Sequence, residues 1–329
     1  MNSKDRMNAV LNFQKPDRLP VIEWAPYWDQ TVKRWQKEGM NIDIENHHEV
    51  REYFGLDPLV DLWVPSRGKN CPKSGYGQAM IKNSDDYARI RKHLFTEETL
   101  GIKELEYAAK MQDEKGAALF CWIWGYFWTP RELFGIEGHL YAFYDCPELM
   151  NRINDDQYEF IIKTIDRICK YASLQFIVLG EDMSYKTGSM ISKALFDEFL
   201  APYYAKTAEY IKSRGIKAII DSDGLVDEPL QWYKKAGFEG MLPMERQAGV
   251  DIAEYREKYP DIIMIGGFDK RCMSGGEAAM RKEFERILPV MRRGGYIPGV
   301  DHQTPPEVSL EDYRLYLRLL REYCRIATT

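Results

Sequence analysis

The stretch Gly294-Gly295-Tyr296-Ile297-Pro298-Gly299-Val300-Asp301-His302-Gln303-Thr304-Pro305-Pro306 reads as a buried strand rising from a double glycine into two polar residues. Proline donates no backbone hydrogen bond, so Pro305 and Pro306 stop the strand and leave Asp301 and His302 at its exit. Polar groups at such an exit are either a local cap or part of a site. Segments further upstream end in the same way, and the repetition gives the pattern its weight.

Continuous apolar runs of strand length cover residues 19–24, 59–63, 117–124, 175–180, 217–221, 240–243, 262–266 and 296–300. Runs of this kind, without alternation, are expected of strands buried on both faces. Helical stretches separate them: residues 194–214, opened by Ser192 and stopped at Gly215, 276–293, and a last one from Ser309 to Arg325. Eight buried strands alternating with helices predict an α/β fold, a (β/α)8 TIM barrel, as a single domain over residues 1–329. Residues 26–58 and 64–115 are long, Trp- and Tyr-bearing inserts, expected to cover the C-terminal mouth of the barrel. No glycine-rich dinucleotide or phosphate loop follows any strand, so neither flavin nor nicotinamide is expected.

A net charge of −6, with no basic block clear of acidic neighbours, argues against nucleic-acid partners. The longest apolar run is too short to span a membrane, residues 1–18 lack the apolar core of a secretory leader, and a cytoplasmic location is expected. The six cysteines (71, 121, 146, 169, 272 and 324) are too scattered for a thiol-based zinc or redox motif and read as reduced thiols.

Barrel chemistry sits where strands end and loops begin. Those ends carry Glu23 and Trp24, Asp61 and Trp63, the aromatic run Trp122 to Trp128, Glu181 and Asp182, Asp221 and Asp223, Glu245 and Arg246, Asp269 and Lys270, and Asp301 and His302. Helix caps account for some carboxylates, Asp227 and Asp251 among them. In Asp221-Ser222-Asp223-Gly224, two carboxylates in one mouth would raise a pKa or recruit a cation; the alternative is an Asx turn with a cap. Glu245 could simply pair with Arg246, and His302 could be a hydrogen-bonded structural histidine. Trp122, Trp124 and Tyr126 would suit a pocket for a flat or apolar ligand, whereas Phe127 and Trp128 could pack as a lid.

Arg6-Met7-Asn8-Ala9-Val10-Leu11-Asn12 through Pro16-Asp17-Arg18-Leu19-Pro20-Val21, Gly180-Glu181-Asp182, Ile191-Ser192 with Phe199-Leu200-Ala201-Pro202, Gly266-Gly267-Phe268-Asp269 and Gly294-Gly295-Tyr296 resemble, in order, the uroporphyrinogen decarboxylase-like superfamily. The resemblance implies a (β/α)8 barrel and an enzyme, either a porphyrinogen decarboxylase or a methyltransferase working with corrinoid proteins, coenzyme M or folates. True decarboxylases carry an Arg-Gln-Ala-Gly-Arg motif near the N-terminus. Here Glu23-Trp24-Ala25-Pro26-Tyr27-Trp28 stands in that region, acidic where a polycarboxylate substrate needs a basic clamp. Thiol-activating relatives use His-x-Cys after strand five, where this chain has Asp221-Ser222-Asp223.

The expectation is therefore a corrinoid-dependent methyltransferase demethylating a small methoxy or methylamine compound, with the corrinoid on a partner protein. Asp182, Asp221, Asp223, Glu245 and His302 are its candidate catalytic residues, and Asp223, Glu245 and His302 the candidate zinc ligands. Glu23, Trp24, Trp122, Trp124, Tyr126, Glu181 and Asp269 are candidate substrate contacts. A decarboxylase or other lyase acting on a small acid is the alternative, and arginines 67, 131 and 246 converging on one cavity would favour an acid. A non-catalytic binding barrel is the third reading.

Overall fold

The computed structural model describes residues 1–42, 47–75 and 77–329; residues 43–46 and 76, which fall in the two expected inserts, lie outside them. Parallel strands joined by helices make it an α/β protein. The chain forms two compact units. The first comprises Met1–Val60, Met111–Ala118 and Gly240–Thr329, and the second Asp61–Lys110 and Leu119–Glu239.

The second unit carries β1 (Leu59–Val64, all but its first two residues), β2 (Ala118–Trp124, all but its first), β3 (Phe176–Gly180) and, beyond a short ribbon β4 (Ser184–Tyr185) and β5 (Gly188–Ser189), β6 (Lys217–Asp221). The order is β1-β2-β3-β6. Parallel register sets Trp122 beside Val178 and Trp124 beside Gly180, then Gly180 beside Asp221. β2 and β3 are buried almost throughout, as their unbroken apolar runs require.

The helix expected over 194–214 is present with an irregular start. Lys193–Leu195, capped by Ser192, passes through a π-turn at Phe196–Leu200 before Ala201–Ser213 runs regularly. Pro202 explains the irregularity, because it has no N–H to give the preceding turn.

The first unit carries β7 (Gly240–Leu242), β8 (Ile263–Phe268) and β9 (Tyr296–Val300), parallel and in that order. β9 is the strand of the opening stretch, and all five of its residues are buried. Leu310–Ile326 follows, and the Ser309 Oγ accepts from the Asp312 N–H at 3.0 Å to cap it.

Seven of the eight expected strands are in place among the described residues, and residues 19–24 are not a strand. That segment is extended and buried, but its backbone groups are satisfied outside any ladder. The Leu19 N–H donates to the Cys324 carbonyl (3.1 Å) and the Val21 N–H to the Asp57 carboxylate (3.0 Å). Pro20 has no N–H to offer a neighbouring strand. Burial of this segment is thus legible in its apolarity, and its pairing is not. Asp227 differs as well: it is the first helical residue behind Val226, whereas Asp251 caps its helix by accepting from the Ala253 N–H at 2.9 Å. Among the described residues no helix is long and apolar enough to cross a membrane.

Candidate functional site

In the second unit, three carboxylates meet at the ends of two adjacent strands. Asp182 follows β3, Asp221 ends β6, and Asp223 lies two residues on; one oxygen from each lies within 4.8 Å of the others. Asp182 sits at φ 42°, in the left-handed region that aspartate tolerates better than most residues. There its Oδ1 accepts from the Asp223 N–H at 3.3 Å, a contact that fixes the turn. Gly224, at φ 83°, completes the turn: a Cβ there would lie 2.7 Å from the Tyr185 carbonyl oxygen.

Asp221 carries the electrostatic burden. Burial pushes its pKa well above the usual carboxylate range, and Asp182 and Asp223 push it further. The one opposing contact of note is the Trp122 indole, whose Nε1–H donates to Oδ2 at 2.9 Å. Gly180 makes that reach feasible. It lies on the intervening strand, paired with Asp221 on one side and Trp124 on the other, and a Cβ on it would fall 2.0 Å from the Trp122 ring. Glycine at the end of β3 therefore lets an indole from β2 cross to an acid on β6. The result is a carboxyl group whose protonated form is favoured by two neighbouring carboxylates and which is held against an aromatic ring.

The aromatic run forms a row. Trp63 stacks on Trp122 (4.6 Å), Trp122 meets Trp124 edge-on (3.8 Å), and Trp124 stacks on Trp128 (4.3 Å). The Arg131 guanidinium lies 4.9 Å over the Trp128 ring, and its Nη1 donates to the Asp182 carbonyl at 3.3 Å. Trp122, Trp124 and Trp128 thus join the trio in one neighbourhood.

Glu181 and Tyr126 are placed differently from substrate contacts. Glu181 is fully buried, and its two oxygens accept from the N–H groups of Tyr126 (2.8 Å), Phe127 (2.7 Å) and Trp128 (3.1 Å). It pins the turn at which the aromatic run leaves β2. A Cβ at Gly125 would lie 1.7 Å from Glu181 Oε1, so only glycine fits there. Burial raises the Glu181 pKa to about 7, with the three N–H groups pulling it down. Tyr126 is buried in the core, its hydroxyl 2.5 Å from Thr207 Oγ1.

The remaining candidates belong to the first unit. Of the expected zinc set Asp223, Glu245 and His302, only Asp223 belongs to the acidic trio. Glu245 accepts from Gln247 (2.6 Å), and His302 is half-buried just beyond β9. Its neighbour Asp301 is buried, accepts from the Arg246 N–H (3.0 Å), and forms an ion pair with Lys270 (3.3 Å). Asp269 is occupied by Arg271 at 2.7 Å. The Trp24 indole donates to the Val300 carbonyl at 2.9 Å, and Glu23 is buried against Tyr313 at 3.2 Å, with its pKa raised by burial to about 7. These two residues tie the 19–24 segment down.

Cys71, Cys121 and Cys324 are buried and all six cysteines are free thiols; burial takes Cys272 up to about 12, so it is protonated at neutral pH. Arg67 and Arg131 line a cavity with Trp128, and Arg67, Lys69 and Lys73 line an adjoining one with Trp124. Neither lysine is among the residues expected from the sequence, although Arg67-Gly68-Lys69 and Lys73 form a basic cluster in an acidic chain.

Parallel strands whose C-terminal ends gather acids and aromatic rings define an α/β protein with enzyme-like strand-end chemistry. The family model for uroporphyrinogen decarboxylase (URO-D) matches residues 128–323, and the chain belongs to that family. A uroporphyrinogen decarboxylase of Anaeromyxobacter sp. (strain Fw109-5) is 27% identical over 122 residues, or 37% of this chain. The match spans 34% of that relative, about a third of its length. A methyltransferase from Methanosarcina mazei shares the fold, with a TM-score of 0.63 over 98% of this chain and 99% of that one at 14% identity.

Proposed function

We propose that this URO-D family member is a methyltransferase that demethylates a small methoxy or methylamine compound at the Asp182–Asp221–Asp223 trio. The observation that carries the reading is the convergence of Asp182, Asp221 and Asp223 within 4.8 Å of one another, where desolvation and its two neighbours favour the protonated form of Asp221. When a methyl group leaves an ether or an ammonium, the C–O or C–N electron pair stays on the heteroatom. An ether oxygen then needs a proton. Asp221 supplies it in place, and its own negative charge is borne by the Trp122 N–H that already faces it. The fold shared with the Methanosarcina mazei methyltransferase supports the reading at the level of architecture. A reduced corrinoid carried by a partner protein would supply the nucleophile that accepts the methyl group.

Zinc fits the trio poorly. Zinc sites favour nitrogen and sulfur donors, whereas this group offers three carboxylates. The mechanism therefore takes no step through that ion.

The same acid supports a second reading, loss of CO2 from a small acid with Asp221 protonating the carbanion left behind. Of the three arginines expected to converge, Arg67 and Arg131 line one cavity and favour an acid substrate, whereas Arg246 is not in its lining and pairs with Asp251. One assay separates the two. Candidate methylated acids are incubated with and without a reduced corrinoid protein, and the corrinoid spectrum and released CO2 are followed together. Corrinoid methylation without CO2 release is expected; CO2 release independent of corrinoid overturns methyl transfer in favour of the lyase. Neither product from a broad donor panel, with Asp221→Asn equally inert, overturns both.

A further inference from the structure

We infer that the basic cleft beside the trio holds the carboxylate of the substrate, so that the methyl donor is a small methylated organic acid. The inference rests on the methyl-transfer reading and names its substrate class. Arg67 and Arg131 line a cavity of about 140 Å3 together with Trp128 and Glu132. An adjoining cavity of about 450 Å3 shares Arg67 and Glu132 with it and adds Lys69 and Lys73. Two cations line the first cavity and three the second, with Glu132 the one carboxylate in either lining, and in a chain of net charge −6 that local excess calls for an anion.

Both arginines are held in place before any ligand arrives. Arg131 is stacked on Trp128, which is itself stacked on Trp124, and it is bonded to the Asp182 carbonyl. Arg67 donates to Glu132 (2.9 Å) and to the Met80 sulfur (3.6 Å), and its backbone is bridged to Leu94. Ser66, one residue before it, is buried and bonded to Thr129 (3.0 Å) and Gln157 (2.9 Å). Planar guanidiniums fixed in this way suit a carboxylate, which accepts two parallel N–H bonds. Arg131 joins the cleft to the trio, because the residue it grips through the backbone is a member of that trio. A neutral methyl ether or a methylammonium ion would leave this charge without a purpose.

The test is direct binding, read by tryptophan fluorescence, with 3-methoxybenzoate, benzoate, methoxybenzene and phenyl phosphate as probes. The two benzoates are expected to bind at least ten-fold more tightly than methoxybenzene, and to weaken as salt rises. Arg67→Gln and Arg131→Gln should each weaken 3-methoxybenzoate about ten-fold. Glu132→Gln, which removes the internal competitor for Arg67, should tighten it. Because Arg131 also braces Asp182, melting curves accompany its variant and Arg67→Gln stands as the independent check. Equal binding of methoxybenzene and the acids, or folded arginine variants that bind as the parent does, overturns the inference. Phenyl phosphate binding ten-fold more tightly than benzoate overturns the carboxylate assignment in favour of phosphate. Binding needs no turnover, so the two readings fail separately. Methyl transfer from methoxybenzene without acid binding defeats this inference alone, and acid binding with no methyl transfer from any donor defeats the functional reading alone.

Discussion

The Trp122 indole reaches over Gly180 to donate to Asp221 at 2.9 Å, a bond that links β2 to β6 across β3. Gly180→Ala puts a methyl group 2.0 Å from that ring, so the indole must move. Overpacking of this kind costs about 1–3 kcal/mol, to be read from urea denaturation. Turnover should fall further than stability predicts, since Asp221 loses its bond.

Asp221→Asn should lower turnover by about 10²–10⁴-fold if the residue is the acid. Its effect on stability has the opposite sign. The native state holds a proton on Asp221 that the unfolded chain releases near pH 4, so wild-type stability falls as pH rises above that value. The variant has no such slope, and its advantage in melting temperature should grow from pH 4 upward. A parent and variant whose melting curves track together across this range would contradict the protonated state.

In the proposed mechanism Asp182 and Asp223 act through their charge on Asp221. Removing either one lowers the pKa of the acid, so the alkaline limb of the pH–rate profile should shift to lower pH in Asp182→Asn and Asp223→Asn. Asparagine tolerates the left-handed backbone of Asp182, which keeps strain out of the comparison. A lower rate with an unmoved limb would assign them a structural role only.

His139 is buried between Phe127 (4.6 Å) and Phe143 (5.1 Å), and neither ring nitrogen has a hydrogen-bond partner. Burial depresses its pKa from 6.5 to about 3. The unfolded chain takes up a proton that the native state refuses, so stability is full above pH 6.5 and is lost below it. His139→Phe should therefore be neutral or stabilising at pH 7. Its advantage should widen by about 1.4 kcal/mol for each unit of acidification toward pH 4, as measured by thermal melts.

Glu181→Ala strands three N–H groups at the start of the aromatic run, those of Tyr126 and Phe127 buried and that of Trp128 partly buried. A loss above about 3 kcal/mol is expected, at about 1–3 kcal/mol for each stranded donor. Circular dichroism in the near ultraviolet should show the tryptophan row disturbed.

In the proposed mechanism Asp221 rather than zinc activates the leaving group, so chelator-stripped protein should keep its turnover. Activity lost on stripping and restored by stoichiometric zinc would reinstate a metal mechanism.

Much of this architecture is legible from residues alone. Apolar runs ending in acids locate seven strands and every member of the trio, because burial on both faces leaves a run that no surface segment imitates. The exception, residues 19–24, is buried too, and periodicity cannot tell a paired strand from an extended segment pinned by Asp57 and Cys324. Side-chain direction is the harder matter. Glu181 and Asp182 are neighbours, yet one turns inward to cap a helix start while the other, at φ 42°, faces the trio. Gly125 and Gly180 carry the available clue, since each is a glycine whose Cβ would collide with a site residue.

The division of the chain between its two units has a consequence for synthesis on the ribosome. The second unit is finished once Glu239 has emerged, whereas the first draws on both ends of the polymer. Its Cys324 thiol donates to the Pro20 carbonyl, 304 residues away. Until the final helix is made, residues 1–60 must wait with their apolar surface uncovered while the second unit is already complete. Chains stalled once Glu239 has cleared the ribosomal exit tunnel should accordingly present a folded second unit and an N-terminal segment open to proteases and chaperones.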